Sequence, residues 1–243
     1  MSLIEERSTK EVLDWNRLYR IGGVLGIVAG ILTVIDIMVF VISPQPSTIE
    51  GWFALFQRNW FVGLLDFDLL GMVAYALCFP MIVSLYLILR RSSQVLISVG
   101  TVFVFVGIAV YYASNSGLPF LSLSNQYAAA TTELQRTSLM AAGQALLALF
   151  SMTAFGESFA MVSASLLMVS VAMLRNNVVF SKKTAYVGIL ANIAGLGELM
   201  PVPWVIMMTL GALDCIALGI WFIMIGRTLY TLGRVSNRAF QAT

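Results

Sequence analysis

The chain has 243 residues, 59% of them hydrophobic and only 11% charged, against roughly 25% charged residues in an ordinary soluble domain. That imbalance excludes a water-soluble fold, and continuous apolar runs exclude a β-barrel with its alternating segments of about ten residues. A net charge of +2 with no basic stripe leaves a nucleic-acid partner without support. The composition predicts an all-α integral membrane helical bundle whose first partner is the lipid bilayer.

A bilayer core takes about 20 apolar residues per helix, and such runs fall near 21–42, 69–89, 94–113, 154–174, 184–200 and 204–226. These six transmembrane helices make one membrane domain over 21–226, between an amphipathic segment at 1–20 and a tail at 227–243. In the leading segment Ser8 and Glu11 have the spacing of a helix capping box. No small-residue cleavage site follows, so the first span is expected to be retained. Within it Gly22, Gly26 and Gly30 recur every four residues, the pattern that lets a neighbouring helix approach closely. That neighbour is another span, a second copy of the chain or a different membrane protein.

The loop 43–59 opens with SPQPSTIE. Pro44 and Pro46 end the first span, Ser47 and Glu50 have capping-box spacing, and Trp52, Phe53, Leu55 and Phe56 predict a short helix resting on the interface. Next comes WFVGLLDFDLLGMVAYAL, with Asp66 and Asp68 at the mouth of the second span. Residues two apart on a helix point about 200° apart, so the two face one ligand only if that turn is unwound. Their expected role is that of first-turn carboxylates, favoured by the helix dipole and wet at the interface.

Residues 138–174 carry a single charge, Glu157, and are long enough to cross twice. A second crossing would move Arg175, Lys182 and Lys183 to the opposite side. One span from about 154 is therefore expected, preceded by a helix over 125–150 lying on the outer face. Ser124 stands as its N-cap, with Tyr127, Ala130, Leu134, Ala141, Ala145 and Leu149 at helical spacing. GVLGIVAG at 23–30 is echoed by GILANIAG at 188–195, but the two run the same way and form no inverted repeat.

Cytoplasmic loops carry the excess of Lys and Arg. With this threading Arg7, Lys10, Arg17, Arg20, Arg90, Arg91, Arg175, Lys182, Lys183, Arg227, Arg234 and Arg238 share one side, leaving only Arg58 and Arg136 on the other. Both termini are expected to be cytoplasmic, with the interfacial helices on the outer face. Trp52, Trp60 and Trp204 then mark the outer boundary and Trp15 and Trp221 the inner one, as an aromatic belt.

The sequence contains no histidine, which removes His-ligated zinc and haem, the Ser-His pair and a histidine proton shuttle. No Lys lies within a span and no phosphate-binding loop is present. Cys78 and Cys215 both lie in apolar runs and suggest no disulfide framework. GLGE at 195–198 resembles the aspartyl intramembrane protease signature, but its acid is Glu198 and no Tyr-Asp partner motif accompanies it. An enzyme is disfavoured, and no cofactor or metal is implied.

Carboxylates remain. Asp66, Asp68, Glu157 and Glu198 fall near the outer boundary, Asp36 in the outer half and Asp214 near the midplane. Ionisable groups at such depth face the bundle interior or a wet cavity. Their charge can be met by Arg58 and Arg136 folding inward, by protonation, by hydrogen bonds from Asn192 and nearby hydroxyls, or by a bound cation. Asn192 and Asp214 lie at similar depth on consecutive spans, placed for a hydrogen bond.

The segments LYRIGGVLGIVAGIL, LSLSNQYAAATTELQRTSLMAAGQALL and AMLRNNVVFSKKTAYVGILANIAGLG resemble a family of bacterial multi-pass membrane proteins whose shared domain has no assigned function. The likeness covers nearly the whole chain. It implies a six-span protein of the bacterial plasma membrane, with Glu more usual where this chain has Gln144, and it carries over no catalytic residue. The expected function is non-enzymatic binding or transport of a small molecule or cation in an outward carboxylate-lined pocket. The alternative is a structural, sensory or accessory subunit that packs on membrane partners through its small-residue faces.

Overall fold

The computed structural model describes residues 3–43, 45–175, 178–197, 199–201 and 203–241, with side chains over 14–234 apart from Trp204. Among the described residues the chain is all helix and connecting turns, with no strand. The helices are α1 (Leu3–Ile42), α2 (Ile49–Arg58), α3 (Trp60–Asp66), α4 (Leu69–Leu89), α5 (Gln94–Ser114), α6 (Gly117–Ala129), α7 (Glu133–Leu149), α8 (Ser158–Arg175), α9 (Lys182–Gly197) and α10 (Trp204–Gln241). A π-helical segment, Phe150–Glu157, joins α7 to α8 without a break.

Five stretches are long and apolar enough to cross a membrane: Asp14–Ile42, Leu69–Leu89, Gln94–Ala129, Glu133–Arg175 and Val205–Arg234. The run expected as a fifth span is α9, which has 16 residues and falls short of the usual length of about 20. Ser8 lies inside α1, so it does not open the helix. Its side chain and that of Glu11 are outside the described residues, as are Pro44 and Glu198.

Helix α1 packs along α10 and α4, α5 along α8, and α9 against both α8 and α10. Glycine decides the closest of these contacts. A Cβ on Gly23 would sit 2.6 Å from the Gly226 carbonyl oxygen, and one on Gly226 would sit 2.5 Å from that of Gly23. Gly30 and Gly219 meet in the same reciprocal way. Of the expected series, Gly22 and Gly26 instead face α4, against the Pro80 carbonyl and the Met81 thioether. The neighbours of all these glycines are within the chain. The apolar core of the bundle runs through Ala29, Met81, Leu85, Ile97, Val104, Leu166, Ala191 and Trp221.

At one end α2, α3, α6 and α7 form a cap with a core of its own. Trp52, Phe53 and Phe56 are buried in it with Leu64, Phe67, Tyr111, Phe120 and Phe150, so these rings of α2 face a protein core. Ring centroids lie 4.7 Å apart for Trp52 and Phe67 and 5.0 Å for Phe67 and Phe120, distances at which aromatic pairs attract beyond simple burial. The caps differ from those expected. Thr48, not Ser47, starts α2 by accepting from the Gly51 N–H. Ser124 is buried within α6, where its hydroxyl donates to the Phe53 carbonyl at 2.9 Å. The following helix starts instead at Glu133, where Thr132 and Gln135 form a reciprocal capping box.

The tryptophans divide accordingly. Trp15 and Trp60 are exposed as belt residues would be, whereas Trp52 and Trp221 are buried in the two cores because each meets a packed helix and not the boundary. The Trp204 side chain is outside the described residues.

The α1–α10 contact gives a test. Gly23→Val forces a side chain into the α10 backbone, and overpacking of this kind costs about 1–3 kcal/mol. A Cβ on Gly156 meets nothing within 4 Å. In detergent, Gly23→Val is expected to lower the thermal unfolding midpoint clearly and Gly156→Ala to leave it unchanged. Equal midpoints would contradict the close α1–α10 approach.

Candidate functional site

The break between α3 and α4 creates the site. Helix α3 ends at Asp66, Phe67 caps it, and Asp68 takes the left-handed conformation at φ 61°, its α4 N-cap position. Asp is among the few residue types besides glycine that visit this region with any frequency. The turn carrying Asp66 and Asp68 is therefore unwound, and both carboxylates line one cavity. Neither is wet as expected, with relative exposures of 4% and 9%.

Each is held in place. The Asp68 carboxylate accepts from the Gly71 N–H at 3.1 Å and from the Tyr111 hydroxyl at 2.5 Å. Asn115 supports this corner by donating to the Phe67 carbonyl at 2.9 Å. On Asp66, Oδ2 accepts from the Ser43 hydroxyl at 3.2 Å and the backbone carbonyl accepts from Gln45 at 2.9 Å, which clamps the loop after α1 onto the end of α3. Its other oxygen, Oδ1, is buried with no hydrogen-bond partner among the described residues. Asp36, from the second half of α1, lines the same cavity as Asp68.

The cavity has a volume of about 340 Å³. Asp36, Asp66, Asp68 and Gln45 form its polar wall. Phe40, Phe150, Phe155, Phe159, Met207 and Met208 also line it, with Ser151, Gly211 and Cys215. No Lys or Arg is among the described lining residues.

The other expected site residues lie elsewhere. Asp214 is buried at 1% exposure but does not line the cavity. It packs toward α9, where a Cβ on Gly195 would come within 3.2 Å of its carboxyl carbon. Asn192 donates to the Gly188 carbonyl of its own helix at 2.6 Å. Glu157 is exposed at the end of the π-helical segment. Arg136 pairs with Glu133 at 3.6 Å on the exposed face of α7, and Arg58 is exposed at the end of α2, so neither reaches the cavity carboxylates. The Tyr75 phenol stands within electrostatic range of both Asp68 and Asp214. Tyr111, Ser43 and Gln45 were not singled out in the sequence. The signal for Tyr111 was the polar end of the third span, YYASNS, on the same side of the bundle as Asp68.

Burial pushes the Asp66 carboxyl above the usual carboxylate range, and the Ser43 hydroxyl offsets part of that. A raised acid stabilises the fold fully below its unfolded value of about 3.9, and that contribution is lost as pH rises through the folded value. The thermal midpoint of the wild type in detergent is expected to fall across this window, and that of Asp66→Asn to fall less steeply. Identical slopes would mean that Asp66 ionises in the fold as it does in the unfolded chain. No family model, curated protein or solved structure matches this chain.

Proposed function

We propose that this is a six-span protein of the bacterial plasma membrane, with α9 as the short fifth span, both termini cytoplasmic and the aromatic cap outside, that binds or transports a small organic cation in the cavity beneath the cap. The family resemblance of the sequence is part of this reading. The observation that carries the function is one cavity lined both by three carboxylates, those of Asp66 and Asp68 buried and that of Asp36 half-buried, and by phenylalanines and methionines, with no basic side chain among the described lining residues. An ammonium group satisfies the acids, and an apolar body fits the phenylalanines and methionines that line the same cavity.

A bare divalent cation fits less well, because it takes six or more oxygen ligands or near-ideal octahedral geometry, and among the described residues no three acid or cysteine groups converge to hold a metal ion. The small-residue faces that suggested a partner-packing subunit are covered by α4 and α10 of the same chain.

Two measurements test the reading. A reporter active only in the cytoplasm should work when fused after residue 243 and fail when inserted between Ala130 and Thr132; the reverse would invert the topology. Titration with 2-phenylethylammonium should raise the thermal midpoint of the purified chain, and neutral 2-phenylethanol should not. Asp66→Asn removes a charge-assisted contact and is expected to weaken binding roughly tenfold or more. Equal effects of the amine and the alcohol would refute a cation site.

A further inference from the structure

Six helices close into a ring in the order α1, α10, α9, α8, α5 and α4, each packed on the next and α4 on α1. One member of that ring is short. Helix α9 has 16 residues, and it runs antiparallel to both neighbours: Gly188 meets Ser170 of α8 and Trp221 of α10, and Gly195 meets Ser163 and Asp214. At its end a Cβ on Gly197 would lie 3.2 Å from the Leu210 side chain. Both neighbours continue past this level, α8 back through Phe159 into the π-helical segment and α10 back to its start at Trp204. Neither the π-helical segment nor α8 packs along α10. Beyond the end of α9, therefore, no helix among the described residues stands between them.

The cavity reaches this gap. Its lining includes Phe155, Gly156 and Phe159 from one flank, Met207 and Met208 from the other, and Leu199 from the turn that follows α9. Gly156 borders open space, because a Cβ there would meet nothing within 4 Å. The surroundings of the gap are apolar and uncovered, with Leu199 43%, Met152 71% and Val205 73% exposed. Its flanks belong to Glu133–Arg175 and Val205–Arg234, both long and apolar enough to cross a membrane, so in the topology given above the gap faces the acyl chains of the outer leaflet.

We propose that this gap is a side entrance through which a single-chain alkylammonium amphiphile enters the cavity from the bilayer, with its charged head at the cavity carboxylates and its chain passing out between the π-helical segment and α10. This rests on the cation-binding reading and names the class of cation. Charge and size select the occupant. Three carboxylates with no Lys or Arg among the described lining residues call for a cationic head. The cavity volume of about 340 Å³ lies at the low end of the roughly 300–1,000 Å³ of sites that enclose a whole ligand. A long chain is accommodated only by leaving through the gap, and the part that remains in lipid loses no apolar burial when the head binds.

The test uses the full chain in phosphatidylcholine nanodiscs, with dodecylammonium bearing a diazirine at its chain end as photolabel. Peptide mapping is expected to find label concentrated on the segments that flank the gap, 155–159 and 199–208. Excess unlabelled dodecylammonium should remove it, and hexadecylammonium should do so equally well, because the added methylenes stay in lipid. Gly156→Trp puts a ring into the open space beside the gap and should lose the competable label; the competition on the wild type decides the proposal even if this variant does not fold. Uncompeted label spread over the exposed apolar faces of α1 and α5 would overturn the side entrance, as would competition by dodecylammonium that hexadecylammonium fails to match. If 2-phenylethylammonium still raised the thermal midpoint in the same discs, the cation site would stand without the entrance. Equal competition by 1-dodecanol, or no effect of any amine, would overturn both.

Discussion

An acid buried in an apolar bundle must find donors, a proton or a cation, and the region around Asp66 and Asp68 is organised by that requirement. The left-handed turn at Asp68 costs on the order of 1–2 kcal/mol. Two donors to its carboxylate, from Gly71 and Tyr111, are worth roughly 1.5–3 kcal/mol each when the acceptor is charged. The turn is therefore maintained by the same bonds that aim the carboxylate. Breaking the chain between α3 and α4 also frees backbone carbonyls, and side chains take them up: Gln45 bonds that of Asp66 and Asn115 that of Phe67. In an apolar setting every such group left alone would cost several kcal/mol.

The cap follows from the break. With α3 and α4 separated, the short helices before α4 need a surface to bury their own apolar faces, and they find it against α6 and Phe150. Tyr75 and Tyr112 touch both the cap core and the bundle core, and Tyr112 ties the two by donating to the Met72 carbonyl. Movement of the cap relative to the bundle would pull on these tyrosines, and through Tyr111 on the Asp68 carboxylate itself.

Much of this was legible in the sequence, unevenly and for physical reasons. Continuous apolar runs report helices long enough for a membrane, and five of the six expected runs fall on such stretches, while that at 184–200 falls on the shorter α9. The glycine spacing of four in α1 was visible, but the backbone contacts between α1 and α10 use a spacing of seven, Gly23 and Gly30 against Gly219 and Gly226. Partners in such a pair lie far apart in the chain, so no local pattern marks them. The condition for Asp66 and Asp68 to face one ligand, an unwound turn, was readable from helix geometry; that the turn is unwound depends on Tyr111 and Asn115 from another helix. Trp52 and Trp221 were expected at the lipid boundary because amphipathic rings favour it, and packing against distant helices placed them in cores instead.

The π-helical segment explains how several aromatic rings line the cavity beside these acids. On an α-helix Phe150 and Phe155 would point about 140° apart, at about 100° per residue, and at most one could face the cavity. With i→i+5 bonding they fall on the same face, and their rings meet edge to face at a centroid distance of 4.9 Å, with Phe159 one turn further along stacked on Phe155 at 6.2 Å. Phe150 belongs at the same time to the cap core, against Phe67 at 4.6 Å, the residue between the two cavity aspartates. The wall that would receive the apolar part of a ligand and the turn that would receive its charge are thus in direct contact. A change in the winding of this one segment would alter both together.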